Sequence, residues 1–538
     1  MASSPPRATP VGATARLLAR LDAAANRLYG SRYNPLYRSG TATVALLALL
    51  IATGLYLLLF YRVGAPYASV RRIADQAWLG RWIRTVHRFA ADAAVITATV
   101  HAIRMLAQRR SWGRRTLPWV SGVGLLALIL VCGWTGYVMV WDTFGQLLAV
   151  EGARLLDLLP LFSEPLGRAF VGESAIPGAF FFLNLFLHIA LPIGMGIGLL
   201  LHVSRMARAV LFPPRRAMAW GAALLVAAAL AWPAPLAPEA DPFRLPATVP
   251  LDLFYAFWVP LARGVPAPWV AGTMAAATLL LLLVPRLTRP APHEQPPPSE
   301  VNERLCTGCR QCALDCPWEA IAMVPREDEP GLVPGGAPRS ELVARVDPAR
   351  CVSCGICAGS CAPMGIGPAG RTGRDQLAEA RELVRQRAPG AEDVVVVACT
   401  RGAGGAGWAE RFDGAPVFAV DCAGNLHSSV VELFVRAGAG GVLVLACPPE
   451  DCWNREGAVW LEQRLFHDRE AELQARVDRR RVMLAHASLG GTAHARAALA
   501  ELRARVRALR IAGGEDDPDL RRQCETAAAP GAAAGGEP

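Results

Sequence analysis

The chain has 538 residues, enough for several domains, with a hydrophobic content of 53% and a formal net charge of +10. The excess of arginine invites a nucleic-acid reading. Because the positive residues sit between long apolar runs, they are read instead as markers of the cytoplasmic side of a membrane, and no nucleic-acid partner is expected. Of the 14 cysteines, only Cys132 lies before residue 287. Eight of the others fall at tight, regular spacing, which is metal-site usage rather than a disulfide framework and implies a reducing compartment for the second half.

The opening Met-Ala-Ser-Ser-Pro-Pro lacks an apolar core, so no cleaved signal peptide is expected. Residues 1–40 form a basic arm with Arg7, Arg16, Arg20, Arg27, Arg32 and Arg38. Six spans are expected within 41–286, over 41–61, 84–106, 117–141, 179–203, 217–235 and 268–286. The fifth is the shortest. Arginines between spans two and three (Arg104 to Arg115) and between four and five (Arg205 to Arg216) share a side with the arm, and six crossings return the chain there. This predicts a multi-pass protein of the inner membrane, with its N-terminus and cysteine-rich half in the cytoplasm. Arg62, Arg71, Arg72, Arg81 and Arg84 dissent from that pattern on the outer side.

Two spans carry histidines fourteen residues apart: His87 and His101, then His188 and His202. That interval advances a helix by about 21 Å and returns it to within about 40° of the same face. Both spans run in the same direction, so His87 is expected to pair with His188 on the outer side and His101 with His202 on the inner. The natural occupants are two b haems with two imidazoles each. Arg84 and Arg104 stand three residues from His87 and His101, where each can meet a haem propionate. Gly40 and Gly54 on span one, and Gly122 and Gly136 on span three, repeat the fourteen-residue interval and are expected to let helix backbone approach a porphyrin face.

Gly136-Tyr-Val-Met-Val-Trp141 and His188-Ile-Ala-Leu-Pro192 resemble the end of the third helix and the start of the fourth in cytochrome b of quinol-oxidising respiratory and photosynthetic complexes. The likeness spans about 28–286 and implies a quinone as substrate. Residues Trp141 to Ser174, including Leu158-Leu159-Pro160, resemble the amphipathic connection that lines the outer quinone pocket; inner contacts are expected near Arg38 and His202. In place of the family's Pro-Glu-Trp-Tyr stands Pro250-Leu-Asp252-Leu, which leaves Asp252 as the candidate for the catalytic acid. The position of the photosynthetic branch's haem thiol is Arg38, so no third haem is expected.

After a Pro-rich linker (287–300) comes the module 301–370. Cys306, Cys309, Cys312 and Cys316 with Pro317, then Cys351, Cys354, Cys357 and Cys361, repeat the bacterial ferredoxin spacing. Zinc also uses Cys-x-x-Cys pairs, but two full copies with a trailing proline favour iron–sulfur clusters. The resemblance to two-cluster ferredoxins implies that Cys306, Cys309, Cys312 and Cys361 hold one [4Fe–4S], and Cys351, Cys354, Cys357 and Cys316 the other.

From 390 to 513 short apolar runs alternate with amphipathic helices. Val394–Ala398, Pro416–Val420, Gly441–Leu445 and Arg481–Leu484 read as buried parallel strands, with helices near 426–437, 452–467 and 493–510. Cys399, Cys422 and Cys447 stand just past strand ends, with Cys452 five residues beyond the third, and thiols converging there suit a [2Fe–2S] cluster. Gly440 to Cys452 resembles the delta-type iron–sulfur subunit of methyl-viologen-reducing hydrogenases. That resemblance implies exchange with a hydrogenase, a dehydrogenase or a heterodisulfide reductase-like partner, and an oligomeric complex. Residues Gly402 to Gly407 lack the order of a nucleotide loop. The tail 514–538, with Cys524, is read as disordered.

The expected architecture is multidomain: an all-α membrane bundle, an α+β ferredoxin-like domain, then a small α/β domain with a parallel sheet. The expected function is an oxidoreductase subunit carrying electrons between a cytoplasmic partner and membrane quinone. Two alternatives stand beside it. One is the cytochrome b of a Q-cycle complex with an added iron–sulfur branch, and the other an iron–sulfur docking or sensing module on a haem-stabilised anchor.

Overall fold

The computed structural model describes residues 13–159, 170, 178–204, 206–241, 243–245, 252–291, 296–329, 331–334, 336–402, 412 and 414–511. The start of the basic arm, the quinone-pocket stretch from Pro160 to Ser174 apart from Phe170, the loop Ala403 to Gly407, Pro250 and the tail fall outside them. The described chain separates into two compact units. One holds residues 38–205 and 209–289; the other holds 1–37, 206–208 and 290–538.

In chain order the helices begin with α1 (Ala13–Tyr33), α2 (Ser39–Phe60), α3 (Pro66–Asp75), α4 (Gly80–Ala107) and α5 (Thr116–Val140). They continue with α6 (Thr143–Leu156), α7 (Gly178–Val203), α8 (Arg215–Ala231), α9 (Val259–Gly264) and α10 (Ala267–Leu287). All but α1 belong to the first unit. Helices α2, α4, α5, α7 and α10 are long and apolar enough to cross a membrane, the third counted from Gly113 with the short turn that leads into α5. Large apolar side chains on their outer faces, such as Leu59, Phe182 and Leu200, are exposed. On a water-soluble protein so many would make an aggregating surface; in lipid they are in their own solvent.

The count departs from the six expected spans. The fifth expected span is α8, whose 17 residues reach only about 25 Å, short of the roughly 30 Å of hydrocarbon. Proline explains where it stops, because the chain runs on through Pro233, Pro235 and Pro238.

Polar contacts fix the pairing of the membrane helices. Thr43 Oγ1 on α2 lies 2.8 Å from Thr97 Oγ1 on α4, and Asn184 Nδ2 on α7 donates to the Thr135 carbonyl on α5 at 2.8 Å. Trp119 Nε1 donates to the Leu281 carbonyl, joining α5 to α10 at 2.7 Å. Helix α6 begins where the Asp142 side chain accepts from Gly145 N–H, and every residue from Phe144 to Ala153 is buried. It covers the first part of the stretch 141–174 and packs among the aromatic rings of Trp141, Phe144 and Phe181.

In the second unit, β1 (Ser299–Val301) pairs antiparallel with β4 (Ile366–Pro368), and β2 (Ile321–Pro325) with β3 (Leu342–Val346). Two single-turn helices, α11 (Gln311–Leu314) and α12 (Ile356–Gly359), carry cysteines between them. After α13 (Gly373–Arg387) come β5 (Val394–Cys399), β6 (Val417–Val420), α14 (Ser428–Arg436), β7 (Gly441–Ala446), α15 (Gly457–Phe466), β8 (Val482–His486) and α16 (Thr492–Ile511). The four strands form one parallel sheet in the order β6-β5-β7-β8. Every residue of β5 and β7 is buried, as a strand covered on both faces requires. Ala380, Phe434 and Leu461 cover one face, and Leu499, Leu502 and Val506 the other. Helix α1 also packs on this unit: a methyl group on Gly490 would lie 2.5 Å from the Ala19 carbonyl oxygen.

Candidate metal centres

Helices α4 and α7 face each other through their histidines. The ring centroids of His87 and His188 lie 6.3 Å apart, and those of His101 and His202 lie 6.4 Å apart. Two imidazoles bonded through nitrogen at about 2 Å to one iron put their ring centres about 6 Å apart, so both pairs have the separation a shared iron needs. Neighbouring helices hold the rings by Nδ1. His87 Nδ1 lies 2.9 Å from Thr53 Oγ1, His188 Nδ1 lies 2.9 Å from the Cys132 carbonyl and 3.0 Å from Thr135 Oγ1, and His202 Nδ1 lies 3.2 Å from Ser121 Oγ. An Nδ1 engaged this way leaves Nε2 for a metal. Cys132 contributes its backbone carbonyl to that hold.

The four glycines face histidines. A methyl group at Gly40 would sit 2.9 Å from the His101 ring, at Gly136 3.0 Å from His188, at Gly122 3.1 Å from His202 and at Gly54 3.4 Å from His87. The contact in each case is with the Cε1 and Nδ1 side of the imidazole ring. The arginines diverge. Both terminal nitrogens of Arg84 donate to backbone carbonyls, of Ala234 at 2.8 Å and Pro235 at 3.0 Å, so Arg84 clamps the segment after α8. Arg104 is buried in the last turn of α4, 2% exposed, three residues from His101.

Asp252 is also committed. It bonds to Arg88 at 2.8 Å and to the Tyr137 hydroxyl, and accepts from the backbone N–H groups of Phe254 and Tyr255 at 2.8 and 2.7 Å. Burial opposes its charge, but the hydrogen bonds from Tyr137, Tyr255 and Phe254 and the Arg88 guanidinium outweigh it and hold the carboxyl below the usual carboxylate range. Its geometry is that of a structural anchor beside α4 and α5, not of an acid poised to change charge near neutrality.

The cysteines of the second unit gather in three sets. Cys306, Cys309, Cys312 and Cys361 line one pocket, and Cys316, Cys351, Cys354 and Cys357 line another. The fourth cysteine of each motif crosses to the other set, as the two-cluster ferredoxin pattern implies. Zinc bound by four thiolates needs sulfurs about 3.8 Å apart, yet among the described residues no three His, Cys, Asp or Glu side chains converge on a point fit for a single ion. Backbone N–H groups aim at the sulfurs, from Ala320 to Cys316 at 3.3 Å, Gly365 to Cys361 at 3.2 Å and Ser353 to Cys351 at 3.4 Å. Such donors stabilise thiolate sulfur and suit an iron–sulfur cluster. Burial pushes the metal-free thiols up, Cys357 to about 12 and Cys361 to about 11, so neither would ionise near neutral pH without a metal to displace its proton.

The third set lies at the carboxyl ends of β5, β6 and β7 and forms two couples. Cys399 Sγ lies 3.8 Å from Cys447 Sγ, and Cys422 is hydrogen-bonded to Cys452. All four are buried. This set abuts the second: Asn425 Nδ2, three residues past Cys422, donates to the Gly355 carbonyl at 3.0 Å, between Cys354 and Cys357. Gly355 has φ +76°, and a methyl group there would meet Asn425 Nδ2 at 2.4 Å, so only glycine allows the approach.

The second set is also tied to residues 206–208. Ala207 N–H donates to the Pro317 carbonyl at 3.2 Å, Arg208 Nη1 to the Leu314 carbonyl at 2.9 Å, and Arg208 pairs with Glu456 at 2.6 Å. In sequence Ala207 is five residues beyond His202.

A helical membrane part with facing histidine pairs, joined to buried cysteine sets of ferredoxin type, defines a membrane-bound electron-transfer protein. The comparisons agree in order along the chain: the model described as cytochrome b/b6/petB matches residues 25–209, the 4Fe-4S dicluster domain matches 305–365, and the delta subunit of methyl-viologen-reducing hydrogenase matches 409–510. The chain is thus a fusion of these three kinds of part, with haem implied for the first and iron–sulfur clusters for the second. A solved structure titled "Hyperthermophilic respiratory Complex III" is similar at 17% identity and a TM-score of 0.38, over 48% of this chain and 78% of its own.

Proposed function

We propose that this subunit carries electrons between a soluble redox partner on the cytoplasmic side and quinone in the membrane. His87 with His188 and His101 with His202 would hold two b haems, the two crossed cysteine sets two [4Fe–4S] clusters, and Cys399, Cys422, Cys447 and Cys452 one [2Fe–2S]. When bound, each of these groups accepts and returns one electron, while quinone supplies the two-electron chemistry. The partner would be a hydrogenase, dehydrogenase or heterodisulfide reductase-like protein, within an oligomeric complex. Arg84 and Arg104 would each meet a propionate of the nearer haem.

The observation that carries the reading is the position of the set Cys316, Cys351, Cys354 and Cys357. It touches the third set through Asn425 and Gly355, and within the same unit Pro317 is bonded to Ala207.

The same contacts support the sidedness. Helix α1, residues 206–208 and the cysteine-rich half form one unit, and a soluble unit occupies one side of a membrane. The four spans α2, α4, α5 and α7 bring the chain back to that side, so α10 needs a second crossing before it, which α8 would supply despite its length. Trp220 and Trp232, both exposed near its two ends, suit interfacial positions.

The test is kinetic. Purified protein is reduced chemically, a quinone analogue is added, and the haem bands are followed. Reoxidation at turnover rates is expected; haem that stays reduced would sink the proposal.

A further inference from the structure

Ser360 precedes Cys361 of the first set, Asp315 precedes Cys316 of the second, and Gly424 follows Cys422 of the third by two residues. One side chain reaches all three. Arg464, on α15 and wholly buried, donates from Nη1 to Ser360 Oγ at 2.9 Å and from Nη2 to the Gly424 carbonyl at 2.7 Å, with Nη1 3.9 Å from Asp315 Oδ2. Its Nε has no hydrogen-bond partner among the described residues. Asp315 is equally buried and also accepts from Gln311 Nε2 at 2.8 Å, from Ser360 Oγ at 2.6 Å and from Arg469, which stacks on Trp460.

Packing does not call for this arrangement. Burying charges is costly, and well-packed apolar residues commonly replace a buried ionic network with no loss of stability. Arg469 already balances the charge of Asp315, so Arg464 contributes a net positive charge where the three sets meet. Burial lowers its pKa to about 10, which leaves it cationic at neutral pH. A four-thiolate cluster gains one negative charge on reduction, and a nearby buried cation favours that state.

We propose that Arg464 is a positioning residue that sets the reduction potentials of the groups bound by the three cysteine sets and raises them together. This rests on the cluster assignments above, so iron and sulfide are counted first: a protein loaded with fewer clusters than proposed fails that reading and not this one.

The experiment is a redox titration of the full-length protein followed by electron paramagnetic resonance. R464M should keep its clusters and lower the one-electron reduction equilibrium constants about tenfold, equivalent to 59 mV. R464K should restore most of the change. D315N, which leaves the cations uncompensated, should move the potentials the opposite way, and it supplies the reading if R464M does not accumulate. Unchanged potentials in loaded R464M, an R464K shift equal to that of R464M, or a fall in D315N would each overturn the proposal.

Discussion

Gly40→Ala tests the membrane site most directly. The new methyl would lie 2.9 Å from both Cε1 and Nδ1 of His101, closer than real carbon atoms pack, so helix or imidazole must move by a few tenths of an ångström. If His101 is bonded to iron, its ring cannot swing away freely. Alanine in a helix gains roughly 0.5–1 kcal/mol over glycine, while overpacking costs about 1–3 kcal/mol, so the balance falls against the variant. Gly54→Ala is the control built into the same helix. Its methyl would stand 3.4 Å from His87, an ordinary contact, and the propensity gain should leave it neutral or slightly stabilising. The assay is haem content per polypeptide with the reduced α-band spectrum and a haem redox titration. G40A should lose or shift only the component assigned to His101 and His202, and G54A should match the parent. Equal damage from both variants, or an unaltered spectrum in G40A, would refute the steric argument and with it the placement of the glycines against ligands.

Three further outcomes are expected. Cys316→Ser should abolish the cluster signal belonging to Cys351, Cys354 and Cys357 while sparing that of Cys306, Cys309 and Cys312, and resonance spectra of C316S and C361S would show whether the cysteines cross. Asp252 has a lowered pKa, so the stability it contributes is complete above the unfolded carboxylate value of about 3.9 and is lost only as pH falls through its lower folded value; D252N should lose roughly 1–3 kcal/mol at neutral pH and none of it differentially between pH 6 and 8, as thermal unfolding at each pH would reveal. Single cysteines introduced at Arg216 and at Ala237 should be labelled from opposite sides of sealed vesicles; labelling from one side would remove α8 as a crossing.

The parts written by local rules were readable in advance. The fourteen-residue histidine interval follows from helical pitch alone, and β5 and β7 were legible because a strand buried on both faces has to be continuously apolar. The crossed cysteines followed from their likeness to ferredoxins. Residues whose partners are remote in sequence were opaque. Arg464 looks like one more arginine on an amphipathic helix, and Asp315 like a solvated neighbour of Cys316; only the approach of α15 to α12 brings them together. Asp252 suggested an acid through its place in the segment that stands for Pro-Glu-Trp-Tyr, while its partners Arg88 and Tyr137, 164 and 115 residues away, were outside any local pattern. Helix α1 went unseen beneath its basic composition, though its packing against Gly490 was not available to any local pattern. The short α8 was the weakest of the expected spans, and its proline-rich exit was the visible reason.

Helix α1 has a consequence for how the molecule is made. It precedes every membrane span, yet the surface that receives it, around Gly490, follows them all. The early helix must therefore wait at the membrane through the synthesis of more than four hundred residues, and docks only when the distal sheet has formed. Once docked, it is a further attachment independent of the Pro-rich linker, beside the bonds of residues 206–208. A protease cutting that linker should leave two fragments that still purify together.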